Sequence, residues 1–343
     1  MTDSGGMIVR SRVFDRPLSR PKPGHRLLRF GLFIVAAAVM PFMAQAQSDK
    51  PIKFILPVAT ASGVDTITRS AQAALSKTLG APVVIENQPG AGGIVGTQAL
   101  VKAAPDGATL SIVSNNHVIY PSVYKSVPFD PVADITPIAV IGSTPIVLVV
   151  NPKVPAKNAQ ELIALLKSKP DELNYASSGN GTILHLAAAM FLDQAGVKAK
   201  HIPYKGVGPM ITDLLGGQVE FGTLSLPSIQ QHIKSGALRA IGVAAAARVA
   251  AAPDIPTFVE QGMPNYLVEG WFAVIGPAKM SAPLVNRINA AFKEAFAAPE
   301  VKEAMAKQGN AIDVSTPEYA TKFFPSELAK YAVLVKKAGV ELQ

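Results

Sequence analysis

The chain has 343 residues, with 32 basic and 24 acidic side chains, a formal charge of +8, one tryptophan and no cysteine. The absence of cysteine excludes disulfides, thiolate metal sites and a cysteine-borne lipid anchor, and the length suffices for two domains with ordinary cores. The charge is uneven: residues 1–46 hold seven basic and two acidic residues, so the remaining 297 carry 25 and 22, a net of +3 that removes the case for nucleic-acid binding.

That leader has the layout of a secretory signal peptide. Arg10, Arg12, Arg16, Arg20, Lys22, Arg26 and Arg29 precede the apolar run "FGLFIVAAAVMPFM", and Ala44-Gln45-Ala46 supplies small residues for cleavage. The run is about 14 residues, short of the roughly 20 that a membrane span needs. Cleavage near Ala46 and export to the periplasm are therefore expected. The sequence leaves open whether translation starts at Met1 or Met7.

From Pro51 onward, short apolar strands alternate with segments of helical period. "IKFILPV" reads as a strand, and Asp65 to Leu79 as a helix with Ile67, Ala71, Ala74, Leu75 and Thr78 on one face. "PVVIEN", helix Gly93 to Ala103 and strand "TLSIVS" continue the rhythm, and "PIVLVVNP" is apolar throughout, as a strand covered on both faces would be. A second series follows: helix Ala159 to Ser168, strand "LNYAS", helix Thr182 to Ala195, strand "KHIPY", helix Pro209 to Leu215, and strands "QVEFGTLS" and "LRAIGVA". "WFAVIGP" reads as a return strand, and the last 60 residues are mostly helix. Two βαβ series predict an α/β fold with two lobes joined by two crossing strands, and ligands collect beyond the carboxyl ends of such strands.

The glycine-rich "ENQPGAGGIVG" raises a nucleotide loop, but its spacing is Gly-x-Gly-Gly-x-x-Gly and no Lys-Ser or Lys-Thr follows it. No Gly-x-Ser-x-Gly elbow is present, and the histidines show no metal-binding pair at helical spacing, so neither a cofactor nor a metal is expected. Anion binding fits better. "YASSGNGTILHL" places Ser177, Ser178, Gly179, Asn180, Gly181 and Thr182 between a strand end and a helix start, where hydroxyls and free amides can hold a carboxylate. Plain capping of the helix by Thr182 is the competing explanation. "ATASGVD", ending at Asp65, is a similar turn in the other half, and the two could grip both ends of a dicarboxylate. His185 lies one turn into its helix, within reach of a ligand at the helix start, with a satisfied, partly buried histidine as the competing explanation; Tyr204, Lys205 and Gly206 form a third strand-end turn, where Lys205 could attract an anion or simply be solvated. Trp271 is expected in the core.

Together "ENQPGAGGIVG", "APDGATL", "NYASSGNGTILHLAAAMF", "HIPYKGVGPMITDLLGGQVEF", "LRAIGV" and "PDIPTFVEQGMP" resemble the periplasmic solute receptors of tripartite tricarboxylate transporters, the Bug receptors. The resemblance runs from about Pro51 to the C-terminus. It implies a type II periplasmic-binding-protein fold with two Rossmann-like lobes and two hinge strands: lobe 1 at 47–145 and 272–343, lobe 2 at 146–271. It also implies a monomeric, non-enzymatic receptor that binds a small organic di- or tricarboxylate in the cleft and delivers it to inner-membrane permease subunits. The loops carried over for the ligand are Val58 to Asp65, Ser177 to Thr182 and Tyr204 to Gly206; with His185 from the helix reading, the expected site is Thr60, Ala61, Ser62, Asp65, Ser177, Ser178, Gly179, Gly181, Thr182, His185, Tyr204 and Lys205. The family often has Gly-Gly where Ala61-Ser62 stand, aspartate at Glu220 and tyrosine at Ala108. Citrate, C4-dicarboxylates, amino-acid anions and aromatic carboxylates remain open, as do a sensory receptor and, from another class, a serine hydrolase using Ser177 or Ser178 with His185.

Overall fold

The computed structural model describes residues 50–340 and 342, so the expected leader and its cleavage point lie outside the described residues. In chain order the elements are β1 (Ile52–Leu56), α1 (Gly63–Leu79), β2 (Val83–Asn87), α2 (Ile94–Val101), β3 (Thr109–Ser114), α3 (Asn116–Ile119) and β4 (Ile135–Val150). There follow α4 (Ala159–Ser168), β5 (Asn174–Ser177), α5 (Ile183–Ala195), β6 (Lys200–Pro203), α6 (Val207–Gly216), β7 (Phe221–Ser225), α7 (Leu226–Lys234) and β8 (Arg239–Val243). The chain closes with β9 (Glu269–Pro277), α8 (Ala282–Ala297), α9 (Pro299–Gln308), β10 (Ala311–Ile312) and α10 (Pro317–Lys337).

Strand pairing reveals a repeat that the linear order hides. The first lobe has the order β2-β1-β3-β9-β4, with β1 parallel to β2 and β3, and β9 antiparallel to both β3 and β4. The second has β6-β5-β7-β4-β8, with β5 parallel to β6 and β7, and β4 antiparallel to β7 and β8. Each lobe is thus a βαβαβ unit whose fourth strand is antiparallel and arrives from the other lobe. The long strand β4 serves both: Ile135 to Pro145 pair with β9, while Ile146 to Val150 pair with β7 and β8. The expected hinge strand "PIVLVVNP" is therefore the second half of a strand of 16 residues.

Local chemistry sets the element ends. Ser62 caps α1 by accepting from the Asp65 amide, Asn158 caps α4, and Thr182 caps α5 by accepting from the His185 amide. Helix α1 buries Val64, Ile67, Thr68, Ala71 and Leu75; Thr68 is buried, whereas Ala74 and Thr78 sit at the edge of the expected face. Helix α5 is buried on nearly every side, as its apolar sequence requires. Two helices were not expected from the sequence: α3 directly after β3, and α7, whose Pro227 sits in its first turn, where proline is tolerated. Phe54, Ile67, Phe272 and Phe292 form the core of the first lobe, while Phe191, Phe221, Phe258 and Tyr266 belong to that of the second.

Candidate functional site

All three parallel strands of each lobe end at the same place, and their ends enclose a cavity of about 530 Å³. The first lobe contributes Pro57 to Val64 in part, Gly90 to Gly93 and Ser114 to Asn116; the second contributes Ser178 to Leu184 in part, Pro203 to Val207 and Ser225. The crossing strands supply the floor through Thr144, Ile146, Gly270, Trp271 and Phe272.

The lobes touch across this cavity. The Tyr124 hydroxyl donates to the Asn180 carbonyl at 3.1 Å, and the Asn116 side-chain oxygen accepts from the Ile183 amide at 2.8 Å. A Cβ built on Gly63 would lie 2.8 Å from Ser225 Oγ, and one on Gly206 would lie 2.5 Å from Ala59 Cβ. The cleft is closed.

Of the residues expected to bind, Ser62, Ser178, Gly179, Thr182, Tyr204 and Lys205 line the cavity. Thr60 and Ala61 form the exposed tip of the first turn. Asp65 is buried behind it, where its carboxylate accepts from the Ala61 amide, Arg69 Nε and Asn87 Nδ2. Ser177 is fully buried; its hydroxyl meets His201 Nε2 at 2.6 Å and donates to the Gly179 carbonyl. Gly181 turns through φ +68° and donates its amide to His185 Nδ1 at 3.4 Å. His185 lies beneath the turn with its ring stacked on His201, centroids 3.9 Å apart. Burial, and secondarily the adjacent His201, push the pKa of His185 down to about 3; burial takes His201 down to about 4. The pair is neutral and supports the turn from below.

Among the described residues Lys205 is the one charged side chain lining the cavity, and no carboxylate does so. The starts of α1, α2, α5, α6 and α7 reach it through Ser62, Gly93, Thr182, Gly206 and Ser225, adding the positive ends of five helix dipoles. This is an environment for an anion. No cluster of three or more His, Cys, Asp or Glu among the described residues could hold a metal. Sequence reasoning missed Ser114, Asn116, Tyr124, Thr144 and Ser225; the run Ser114-Asn115-Asn116 at the end of "TLSIVS" was a strand-end signal of the same kind as those used.

Comparison with known proteins decides the family. Residues 67–340 match the model of the tripartite tricarboxylate transporter family receptor. The chain belongs to that family. As a member of this receptor family it is 34% identical to BugT of Bordetella pertussis over 316 residues, 91% of this chain and 97% of BugT. The solved structure of the periplasmic binding protein BugD shares 31% identity at a TM-score of 0.82, covering 85% of this chain and 99% of BugD. An R. palustris protein solved with adipate is 27% identical at a TM-score of 0.82 (85% and 98% covered), and MatC of Rhodopseudomonas palustris, with bound malate, is 27% identical at 0.79 (83% and 98% covered). The receptor has the type II periplasmic-binding-protein fold, two Rossmann-like lobes joined by β4 and β9, and is a solute-binding protein of transport. No described helix is long and apolar enough to cross a membrane.

Proposed function

We propose that this receptor binds a small organic carboxylate in the cavity between its lobes and delivers it to the permease subunits of a tripartite tricarboxylate transporter. The observation that carries this reading is the charge balance of the wall, with one lysine, no carboxylate and five helix starts around a closed space. The dicarboxylates in two related solved structures support the same ligand class. In this reading the leader is removed near Ala46, the protein works as a monomer in the periplasm, and the lobes are 47–145 with 272–343 and 146–271. Ser178, Lys205 and the amides of the Ser62 and Gly206 turns hold the carboxylate, and no bond of the ligand is broken. A hydrolase using Ser177 or Ser178 with His185 has less support, because His185 Nδ1 faces the Gly181 amide and its ring lies against His201.

A thermal-shift panel of carboxylates tests the proposal. A ligand present at 100 times its Kd adds about 2.7 kcal/mol to folding stability, a rise in Tm of several degrees. A panel spanning mono-, di- and tricarboxylates that leaves the Tm unmoved would remove the carboxylate assignment.

A further inference from the structure

Several polar side chains around the cavity are already committed to partners outside it. The Trp271 indole N–H donates to Glu327 Oε2, the Tyr204 hydroxyl to Asp213, and the Asn115 amide to the Glu269 carbonyl and Tyr331. These bonds lead away from the cavity, so the three residues present carbon to it. Ser225 pairs with Ser228, and Thr182 is occupied by the Gly179 carbonyl and the His185 amide. Lys205 forms no ion pair, and the Ser178 hydroxyl makes no hydrogen bond, among the described residues. They stand on neighbouring turns, because β5 and β6 are paired.

The opposite end is different. Ile67, Ile146, Leu184, Trp271 and Phe272 face the cavity near the crossing strands, and the polar groups beside them are neutral hydroxyls, of Ser114 and of Thr144, whose Oγ1 is buried without a hydrogen-bond partner among the described residues. In the order β6-β5-β7-β4, Ile146 lies three strand spacings from the β6 turn, roughly 14 Å at about 4.8 Å per strand. A cavity of about 530 Å³ lies within the range of about 300–1,000 Å³ that holds ligands of drug size, more than a four-carbon dicarboxylate fills. Burying a second carboxylate at the apolar end would strip its water without offering a cation in return.

We infer that the ligand is a carboxylate with a single charged end on an apolar body, its charge at Lys205 and Ser178 and its body against Ile146, Trp271 and Phe272. This narrows the carboxylate reading above and rests on it. Calorimetry with phenylacetate, hexanoate and succinate as probes, on the full mature chain, tests it. The expected result is that phenylacetate or hexanoate binds at least tenfold more tightly than succinate and shifts the emission of Trp271, the single tryptophan. Lys205→Met should weaken that carboxylate three- to tenfold while leaving the weaker binding of the matching neutral amide unchanged. A preference of less than tenfold, or tighter binding of succinate, overturns the inference and leaves the carboxylate reading standing. Unchanged carboxylate affinity in Lys205→Met also overturns it, since the charged end then lies elsewhere. If no carboxylate of the wider panel binds, both fall together.

Discussion

Ala61 holds a backbone conformation that its side chain opposes. Its φ is +64°, in the left-handed region, and its amide is fixed there by the Asp65 carboxylate. A residue with Cβ loses roughly 1–2 kcal/mol in that region, whereas a glycine added to the chain costs about 0.4–1 kcal/mol through the unfolded state. Strain is the larger effect, so Ala61→Gly should raise stability by about 0.5–1 kcal/mol in urea unfolding, and it restores the Gly that the family resemblance leads one to expect there. The stacked histidines make a second prediction at this scale. Native pKa values of about 3 for His185 and about 4 for His201 lie below the ordinary 6.5. Between those limits the unfolded chain binds more protons than the native one, so stability falls as the pH drops from about 6.5 toward 3. His201→Gln, which can keep a bond to Ser177, should flatten that fall between pH 6.5 and 4. An unaltered pH profile of unfolding would show that the ring is not held neutral.

Between elements, the closed cleft depends on a short segment that periodicity does not register. Helix α3 and the turn after it carry Asn116 and Tyr124, and Asn116 caps α5 from the opposite lobe by accepting the first amide of that helix. Asn116→Ala with Tyr124→Phe removes two hydrogen bonds worth about 0.5–1.5 kcal/mol each. Ligand affinity should fall about five- to hundredfold, with little change in the urea midpoint of the ligand-free protein; calorimetry and unfolding together check this. The main strands and helices were legible because burial imposes periods of 2 and 3.6 on sequence, and the turns holding Ser62 and Ser178 were legible because they follow strand ends. Helix α7 was not: nine largely polar residues beginning Leu-Pro read as a loop. The direction of His185 was not legible either, since it is set by His201, which lies on β6, 16 positions away. Nor can local pattern reveal that Asn116 and Ile183 meet, because 67 residues separate them.

For the whole molecule, the repeat of strand order explains how the receptor can move. Each sheet receives its antiparallel strand from the other lobe, so β4 and β9 are at once core strands and connections, and rotation about them changes the cleft without unpacking either lobe. A test of this must separate closing from folding, and Gly63 provides one. It is the first residue of α1, on the first lobe, and a Cβ there would meet Ser225 Oγ and Cβ of the second lobe at 2.8 and 3.2 Å. Alanine is favoured over glycine within a helix by about 1 kcal/mol, so Gly63→Ala should not weaken the first lobe, and Gly63→Val places a larger wedge at the same point. Overpacking of this kind costs typically 1–3 kcal/mol, which here falls on the closed state alone. Ligand affinity should therefore drop about five- to 150-fold, more for valine than for alanine, while the urea midpoint holds. Gly63 also lines the cavity, so a direct clash with the ligand would lower affinity too. Small-angle scattering separates the two: a wedge enlarges the radius of gyration of the ligand-free protein, and a clash confined to the ligand does not. A ligand-free scattering curve identical to that of the unaltered chain in both variants would show that Gly63 and Ser225 do not meet in solution, and that the lobes rest apart until a ligand brings them together.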